Sequence, residues 1–167
     1  LASKAWKWLP LQPGKDIELA LGMIRWVIDN DRYDARFLRA ANKAAAAEAG
    51  EKSWTNSTWL VRIQDGAPGA FVRARDLGLA EGHELVAMVD GVPTAVDPND
   101  TARAVVGDLF VDTTLADGTR VKSSLQVLRE SASQREVAEW AEAAGVRARD
   151  LVAVARELTS HGKRAAV

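Results

Sequence analysis

The sequence predicts a mixed α/β fold of the α+β kind, with helices around strands and a small antiparallel β-hairpin insert. Three observations support this. Apolar residues recur every three or four positions from Ile17 to Ile28, as on one face of a helix. Two Asp-Gly pairs, Asp90–Gly91 and Asp117–Gly118, lie among strand-forming residues. Helical patterns then return after residue 123.

The first helix is predicted over residues 16–29. Residues 1–12 are extended in character, because Pro10 and Pro13 prevent a helix there. The following Pro-Gly turn brings the Asp16 carboxylate to the start of the helix. One helix face is expected to be buried, with the residues Ile17, Ala20, Leu21, Ile24, Val27 and Ile28.

A second helix is predicted over about 35–49, with Asp34 as its N-cap and Gly50 at its end. A strand over 58–63 follows, because this stretch is rich in β-formers. Residues 64–82 are Gly-rich, and we expect an irregular connection.

Residues 64–122 form the predicted irregular and hairpin insert. Four strands are predicted in two hairpins: 84–89 with 92–96, and 107–113 with 119–122. We expect both hairpins in one small antiparallel sheet.

Three further helices are predicted: 123–131, 134–144 and 147–160. Ser133 and Glu136 have the spacing of a capping box for the middle one, and Gly145 ends it. A strand is expected to begin at 165–167.

Composition limits the chemistry that this sequence can perform. The chain has no Cys, which excludes disulfides, thiolate metal ligands, an iron–sulfur cluster and a Cys nucleophile within it. His83 and His161 are its two His and lie far apart, so we predict no metal site and no catalytic residue. A net charge of −1 does not favour a nucleic-acid partner. The end at 163–167 reads like a buried strand cut short, so we expect an internal segment of a longer protein.

The segment around the first turn carries a family resemblance. Trp8 to Asp16 and the helix after it resemble the P-I-x-P-G-T-D-x-A-L-x-x-A-M element of the molybdopterin-dependent oxidoreductases, the dimethyl sulfoxide reductase family. In that family this element contacts the guanine end of a bis-molybdopterin guanine dinucleotide. The resemblance therefore implies that Gly14, Lys15 and Asp16 bind the cofactor. Lys15 stands where the family has Thr, so this cation either pairs with a diphosphate or points to solvent.

Guanine chemistry explains why such a site needs these residues. A carboxylate accepts hydrogen bonds from guanine N1–H and N2–H together, and so distinguishes guanine from adenine. Gly14 allows close approach of the backbone, and free N–H groups at a helix start favour acceptor atoms. The alternative is an ordinary turn in which Asp16 is the helix N-cap.

Five more stretches support the resemblance in the same order along the chain. Two match general family segments: 121–128 and 136–146. Three are similar to the catalytic subunits of tetrathionate reductases: 5–10, 23–30 and 158–165. Arsenate, thiosulfate and polysulfide reductases share parts of this pattern.

The resemblance implies a molybdenum enzyme that reduces tetrathionate to thiosulfate in anaerobic respiration. It implies a periplasmic location and a 4Fe-4S cluster elsewhere in the parent chain. It also implies two partners, namely an iron–sulfur subunit for electron transfer and a subunit that serves as membrane anchor. This segment would scaffold the molybdopterin-nucleotide-binding domain, pack against the remainder of its parent chain and be inactive alone.

The second hypothesis is a stand-alone α+β interaction module without a cofactor. It predicts no large exposed apolar patch. The first hypothesis predicts an exposed apolar face at 1–11 and at Val167.

Overall fold

Helices and two antiparallel sheets make up the chain, which confirms the predicted α+β class. The computed structural model describes residues 6–162. The helices are α1 (Asp16–Asp29), α2 (Ala35–Leu38), α3 (Lys43–Glu48), α4 (Ser124–Ala132), α5 (Val137–Ala144) and α6 (Ala148–Leu158). The strands are β1 (Leu60–Gln64), β2 (Ala67–Phe71), β3 (Leu85–Val89), β4 (Val92–Val96), β5 (Asp112–Thr114) and β6 (Arg120–Ser123). The strand predicted at 165–167 lies outside the described residues.

The chain divides into two units. The described part of the first consists of residues 6–33 and 129–162, and the second is Asp34–Leu128. The first unit contains α1, α5 and α6, which pack against one another. The second contains all six strands of the described chain.

The bounds predicted for α1 are confirmed, but its buried face differs from the prediction. Ile17 is 70 % exposed, whereas Gly22 is buried. A Cβ added at Gly22 would lie 2.8 Å from both Leu151 Cδ1 and Trp140 Cβ. The absence of a side chain at Gly22 therefore allows α1 to approach α5 and α6 closely.

The capping box of α5 lies three residues later than predicted. Ser133 and Glu136 do not form it. Instead Glu136 is the N-cap residue, and the Glu139 side chain accepts a hydrogen bond of 2.7 Å from the Glu136 backbone N–H. Glu136, which was expected at the third position of the capping box, is thus its N-cap residue. Gly145 ends the helix in a left-handed conformation, as predicted.

The predicted second helix is interrupted. It forms as α2 and α3, and Asn42 between them is fully buried. Asn42 Oδ1 accepts from the N–H groups of Ala45 (3.0 Å) and Val105 (3.1 Å). Its Nδ2 donates to Arg103 O at 2.7 Å. Asn42 therefore caps α3 and also bonds backbone groups of a loop that is distant in sequence. Helix propensity alone does not predict the second role.

The hairpins form two sheets rather than the one expected. β3 and β4 pair with each other, and the other sheet has the order β2-β1-β6-β5. The turn at Asp90–Gly91 is confirmed, with positive φ at both residues. The pair Asp65–Gly66 has the same conformation and joins β1 to β2 inside the stretch expected to be irregular.

The core of the second unit lies around the central strands. One cluster of buried residues comprises Leu60, Val72, Ala74, Val86, Met88, Val111, Leu115 and Val121. In a second cluster Trp59 stacks on Trp54, with ring centroids 4.9 Å apart, and Phe71 meets the edge of Trp59. This aromatic packing gives Trp59 a structural role.

Candidate functional site

The turn before α1 has the geometry expected of its Pro-Gly pair. Lys15 N donates to Gln12 O at 3.1 Å and closes a four-residue turn. Gly14 occupies the third position with φ +77°, a conformation that favours glycine. No atom lies within 4 Å of a Cβ added at Gly14, so this face of the turn is open.

The turn is fixed to the end of α5. Gln12 N donates to Ala144 O at 3.2 Å. A Cβ added at Gly145 would lie 2.6 Å from Gln12 Cγ, so the Gln12 side chain packs directly over this glycine. The sequence identifies Gly145 only as a helix end. Its second role depends on a contact between residues far apart in sequence, which no local pattern predicts.

The extended segment ahead of the turn is held by an ion pair. Lys7 Nζ lies 2.7 Å from Asp150 Oδ1, and Arg147 Nε lies 2.5 Å from Asp150 Oδ2. These two hydrogen bonds hold the pKa of Asp150 below its ordinary value of 3.8. The segment is thereby attached to the first turn of α6.

Asp16 is the first residue of α1, and Lys15 is the N-cap residue. The prediction of Asp16 as N-cap, made in the alternative of an ordinary turn, is therefore wrong, while the ordinary turn itself stays an alternative. The Asp16 side chain is exposed and has no hydrogen-bond or ion-pair partner within residues 6–162. The first helical hydrogen bond runs from Leu19 N to Lys15 O, so the N–H groups of the first turn have no acceptor inside the helix.

Lys15 pairs with Glu18 on the next turn. Their Nζ and Oε1 atoms are 2.8 Å apart, and this hydrogen bond is the main reason that the pKa of Glu18 is lowered. Lys15 therefore does not simply point to solvent. The structure brings Gly14, Lys15 and Asp16 together in one turn, and it adds Gln12 and Glu18, which the sequence did not single out.

The chemistry of this turn fits a guanine nucleotide. The Asp16 carboxylate offers two unpaired acceptor oxygens, which match the two adjacent N–H donors of guanine. The open side of Gly14 leaves room for a ribose or base. The helix start supplies N–H donors beside them.

Large apolar side chains are exposed near this turn in sequence. Trp6 is 66 % exposed and Trp8 is 68 % exposed. Lys7 and Leu9, which alternate with them, are half-buried. This agrees with an exposed apolar face over the described part of 1–11. Residues 1–5 and Val167 lie outside the described residues.

Neither histidine joins the site. His83 is exposed on a loop, and His161 Nε2 lies 2.7 Å from Glu157 Oε1 at the end of α6. Over residues 6–162 no group of three His, Asp or Glu side chains is arranged to hold a metal ion. Within the same residues no helix is both long and apolar enough to cross a membrane.

A separate cavity of about 420 Å³ lies in the second unit, between α2 and α3. Its two arginines are already engaged. Arg36 donates to Glu48 O at 2.5 Å, and Arg39 Nε donates to Gly107 O at 3.0 Å. These two hydrogen bonds use the arginines to hold neighbouring backbone groups.

Comparison with known proteins gives matches over the whole chain, although no protein-family model matches it. The chain is 48 % identical to a selenate reductase subunit of Mesobacillus selenatarsenatis and 41 % identical to a tetrathionate reductase subunit of Salmonella typhimurium, each over 100 % of this chain. It is 34 % identical, over 96 % of its length, to a Halobacterium salinarum protein named as a dimethyl sulfoxide reductase catalytic subunit. The matched regions are 16–17 % of these relatives, so the chain spans about a sixth of their length.

Proposed function

Since the chain belongs to the molybdopterin oxidoreductase family, we propose that it is an internal segment of the catalytic subunit of a molybdenum-dependent reductase. The observation that carries this proposal is the similarity along the whole chain to subunits named as reductases. Those subunits are about six times longer, so the reaction of the whole protein depends mainly on residues elsewhere in it.

The role of this segment is to bind one guanine end of a bis-molybdopterin guanine dinucleotide. Asp16 accepts hydrogen bonds from guanine, and Gly14 admits the nucleotide close to the backbone. Lys15 has three N–H donors and one acceptor in Glu18, so its ammonium can also reach a diphosphate oxygen. The cofactor supplies the molybdenum that exchanges electrons with the substrate. We expect the segment itself to supply no metal ligand and no catalytic residue.

Tetrathionate is the first candidate substrate. The sequence stretches that resemble tetrathionate reductases support it, as does 41 % identity to one such subunit. Two electrons break the central S–S bond and release two thiosulfate ions. Selenate is the second candidate, because a relative at 48 % identity is named a selenate reductase. Two electrons and two protons convert selenate to selenite and water.

The electrons would reach molybdenum through a 4Fe-4S cluster in another part of the parent chain and through an iron–sulfur partner protein. A periplasmic location and a further subunit that serves as membrane anchor complete this proposal. They rest on the family resemblance. The stand-alone interaction module is the alternative function, and similarity to one region of much longer reductases favours the first proposal over it.

The test uses the full-length parent protein with its electron-transfer partner. Oxidation of a reduced viologen dye is followed after tetrathionate or selenate is added in separate assays. Arsenate and polysulfide serve as comparison acceptors, and protein from cells grown with tungstate in place of molybdate is the control. The proposal predicts turnover with tetrathionate or selenate that requires molybdenum.

Turnover only with arsenate or polysulfide would retain the molybdenum reductase and reject both candidate substrates. Purified protein with no molybdenum and no turnover with any acceptor would reject the proposal. The interaction module would then be the better account.

A further inference from the structure

The carboxylate proposed to bind guanine lies between the two members of an ion pair in sequence. Lys15 and Glu18 are bonded, and Asp16 is adjacent to the lysine. Yet Asp16 has no partner within residues 6–162. An ammonium group is attracted to a nearby exposed carboxylate. The pairing of Lys15 with Glu18 rather than with Asp16 therefore needs a physical explanation.

Helix geometry supplies this cause. Successive residues of a helix are turned by about 100°, so Glu18 lies near Lys15 on one side of the first turn and Asp16 lies toward the other side. Glu18 is half-buried, and its side chain is 20 % exposed compared with 41 % for Lys15. The Glu18 carboxylate therefore holds the ammonium of Lys15 against the protein, away from Asp16.

The environment of Glu18 makes it the better partner for this cation. Arg135 also acts on Glu18 through its charge, so the carboxylate faces positive groups from both the start of α1 and the loop before α5. The Arg135 guanidinium itself lies 4.8 Å from the centre of the Trp140 ring. Glu18 thus stays ionised as an acceptor, and Asp16 remains open on the other side.

We infer that Glu18 is a positioning residue for the nucleotide contact: by holding Lys15, it leaves both oxygens of Asp16 free to accept the N–H donors of guanine. This inference rests on the proposed binding of guanine by Asp16. Without Glu18, the ammonium of Lys15 would compete with guanine for the same two oxygens.

The test measures how much guanine nucleotide the full-length protein, with its electron-transfer partner, retains. GMP released by acid treatment of the purified protein is quantified per chain, which requires no activity. The variants are E18Q, K15T, the double variant K15T/E18Q and D16N. E157Q is the matched control, because Glu157 near the end of α6 is an exposed carboxylate that pairs with His161 four residues later.

E18Q is expected to retain about two- to fivefold less nucleotide than wild type, the range that corresponds to one exposed ion pair. The double variant K15T/E18Q should retain as much as K15T, because no cation is left to occupy Asp16. Higher salt should restore part of the retention by E18Q, since salt screens the Lys15–Asp16 attraction. E157Q should match wild type.

Two results would overturn the inference while D16N still loses nucleotide. One is wild-type retention by E18Q. The other is that E18Q lowers the retained nucleotide equally in the wild-type and in the K15T background. Glu18 would then act on folding and not through Lys15. If E18Q yields no folded protein, the comparison of K15T with K15T/E18Q decides the question by itself: equal retention supports the inference, and lower retention by K15T/E18Q overturns it. Wild-type retention by D16N would instead reject the proposed guanine contact itself.

Discussion

Gly22 allows a close helix contact in the first unit, and the effect of a larger residue there can be tested directly. Alanine in place of glycine would favour the helix by about 1 kcal/mol. Here, however, its methyl group would lie 2.8 Å from Trp140 Cβ, which belongs to a buried side chain that cannot simply swing away. Overpacking of this kind costs about 1–3 kcal/mol, so the clash should outweigh the gain in propensity.

We therefore predict that G22A lowers the free energy of unfolding by up to about 2 kcal/mol, which is the packing cost less the gain in helix propensity. Urea unfolding of the 167-residue chain, followed by tryptophan fluorescence, measures this. A20S is the control on the same helix, because Ala20 is exposed, and it should change stability by less than about 0.5 kcal/mol. Unchanged or increased stability of G22A would contradict the packing described here.

Asp150 gives a prediction of pH dependence. Hydrogen bonds from Lys7 and Arg147 lower its pKa below 3.8 in the folded state. The stability that ionised Asp150 contributes is therefore fully present above the ordinary pKa and is lost as the pH falls through the lowered pKa. The difference in unfolding free energy between wild type and D150N should be constant near neutral pH and should decrease in acid.

The control for this prediction is the same comparison in a K7M/R147M background, where the two partners of Asp150 are absent. The pH-dependent part of the difference should be lost there. A difference that decreases equally in both backgrounds would show that the ion pair is not its source.

At the scale of elements, local signals in the sequence predict helix positions better than sheet organisation. The bounds of α1 follow from its periodicity and from the turn before it, and both are local. The division of the strands into two sheets is not local. It depends on β1 pairing with β6, which starts about 60 residues later along the chain.

The interrupted second helix shows why propensity is insufficient. Its alanine run favours one continuous helix, but buried Asn42 ends that pattern by satisfying Val105 N–H and Arg103 C=O. Those partners are distant in sequence. Asp65–Gly66, in contrast, is a local hairpin signal that the sequence contains, and the Gly-rich composition around it obscures the hairpin.

N42A is expected to destabilise the chain by about 3 kcal/mol, because buried backbone groups in two segments would lose their partners. D34A is the matched control. Asp34 also caps a helix through one hydrogen bond of 3.0 Å, but it is an exposed bond, so its loss should cost about 1 kcal/mol. Urea unfolding of both variants measures the difference, and equal losses would argue against the network around Asn42.

For the whole molecule, the proposed function implies that the candidate site is incomplete in this chain. The sequence resemblance placed Gly14, Lys15 and Asp16 in one turn, and the structure has them there. The residues that support the turn, Gln12 and Gly145, depend on tertiary contacts and had no sequence signal of their own for this role. The remaining walls of a nucleotide site would come from the rest of the parent protein.

The 167-residue chain alone should therefore neither reduce an acceptor nor bind guanine nucleotide tightly. A few contacts from one turn do not offset the loss of translational and rotational freedom on binding. Equilibrium dialysis with GDP measures this, and the full-length protein is the comparison. Saturable, tight binding by the chain alone would instead favour an independent binding module.

The most direct test of the account is a structure of the full-length protein with its cofactor bound. Both Asp16 oxygens are expected to lie within about 2.7–3.2 Å of guanine N1 and N2, with Lys15 still paired with Glu18. A guanine edge bound by other residues, with Asp16 in solvent or paired with Lys15, would contradict it.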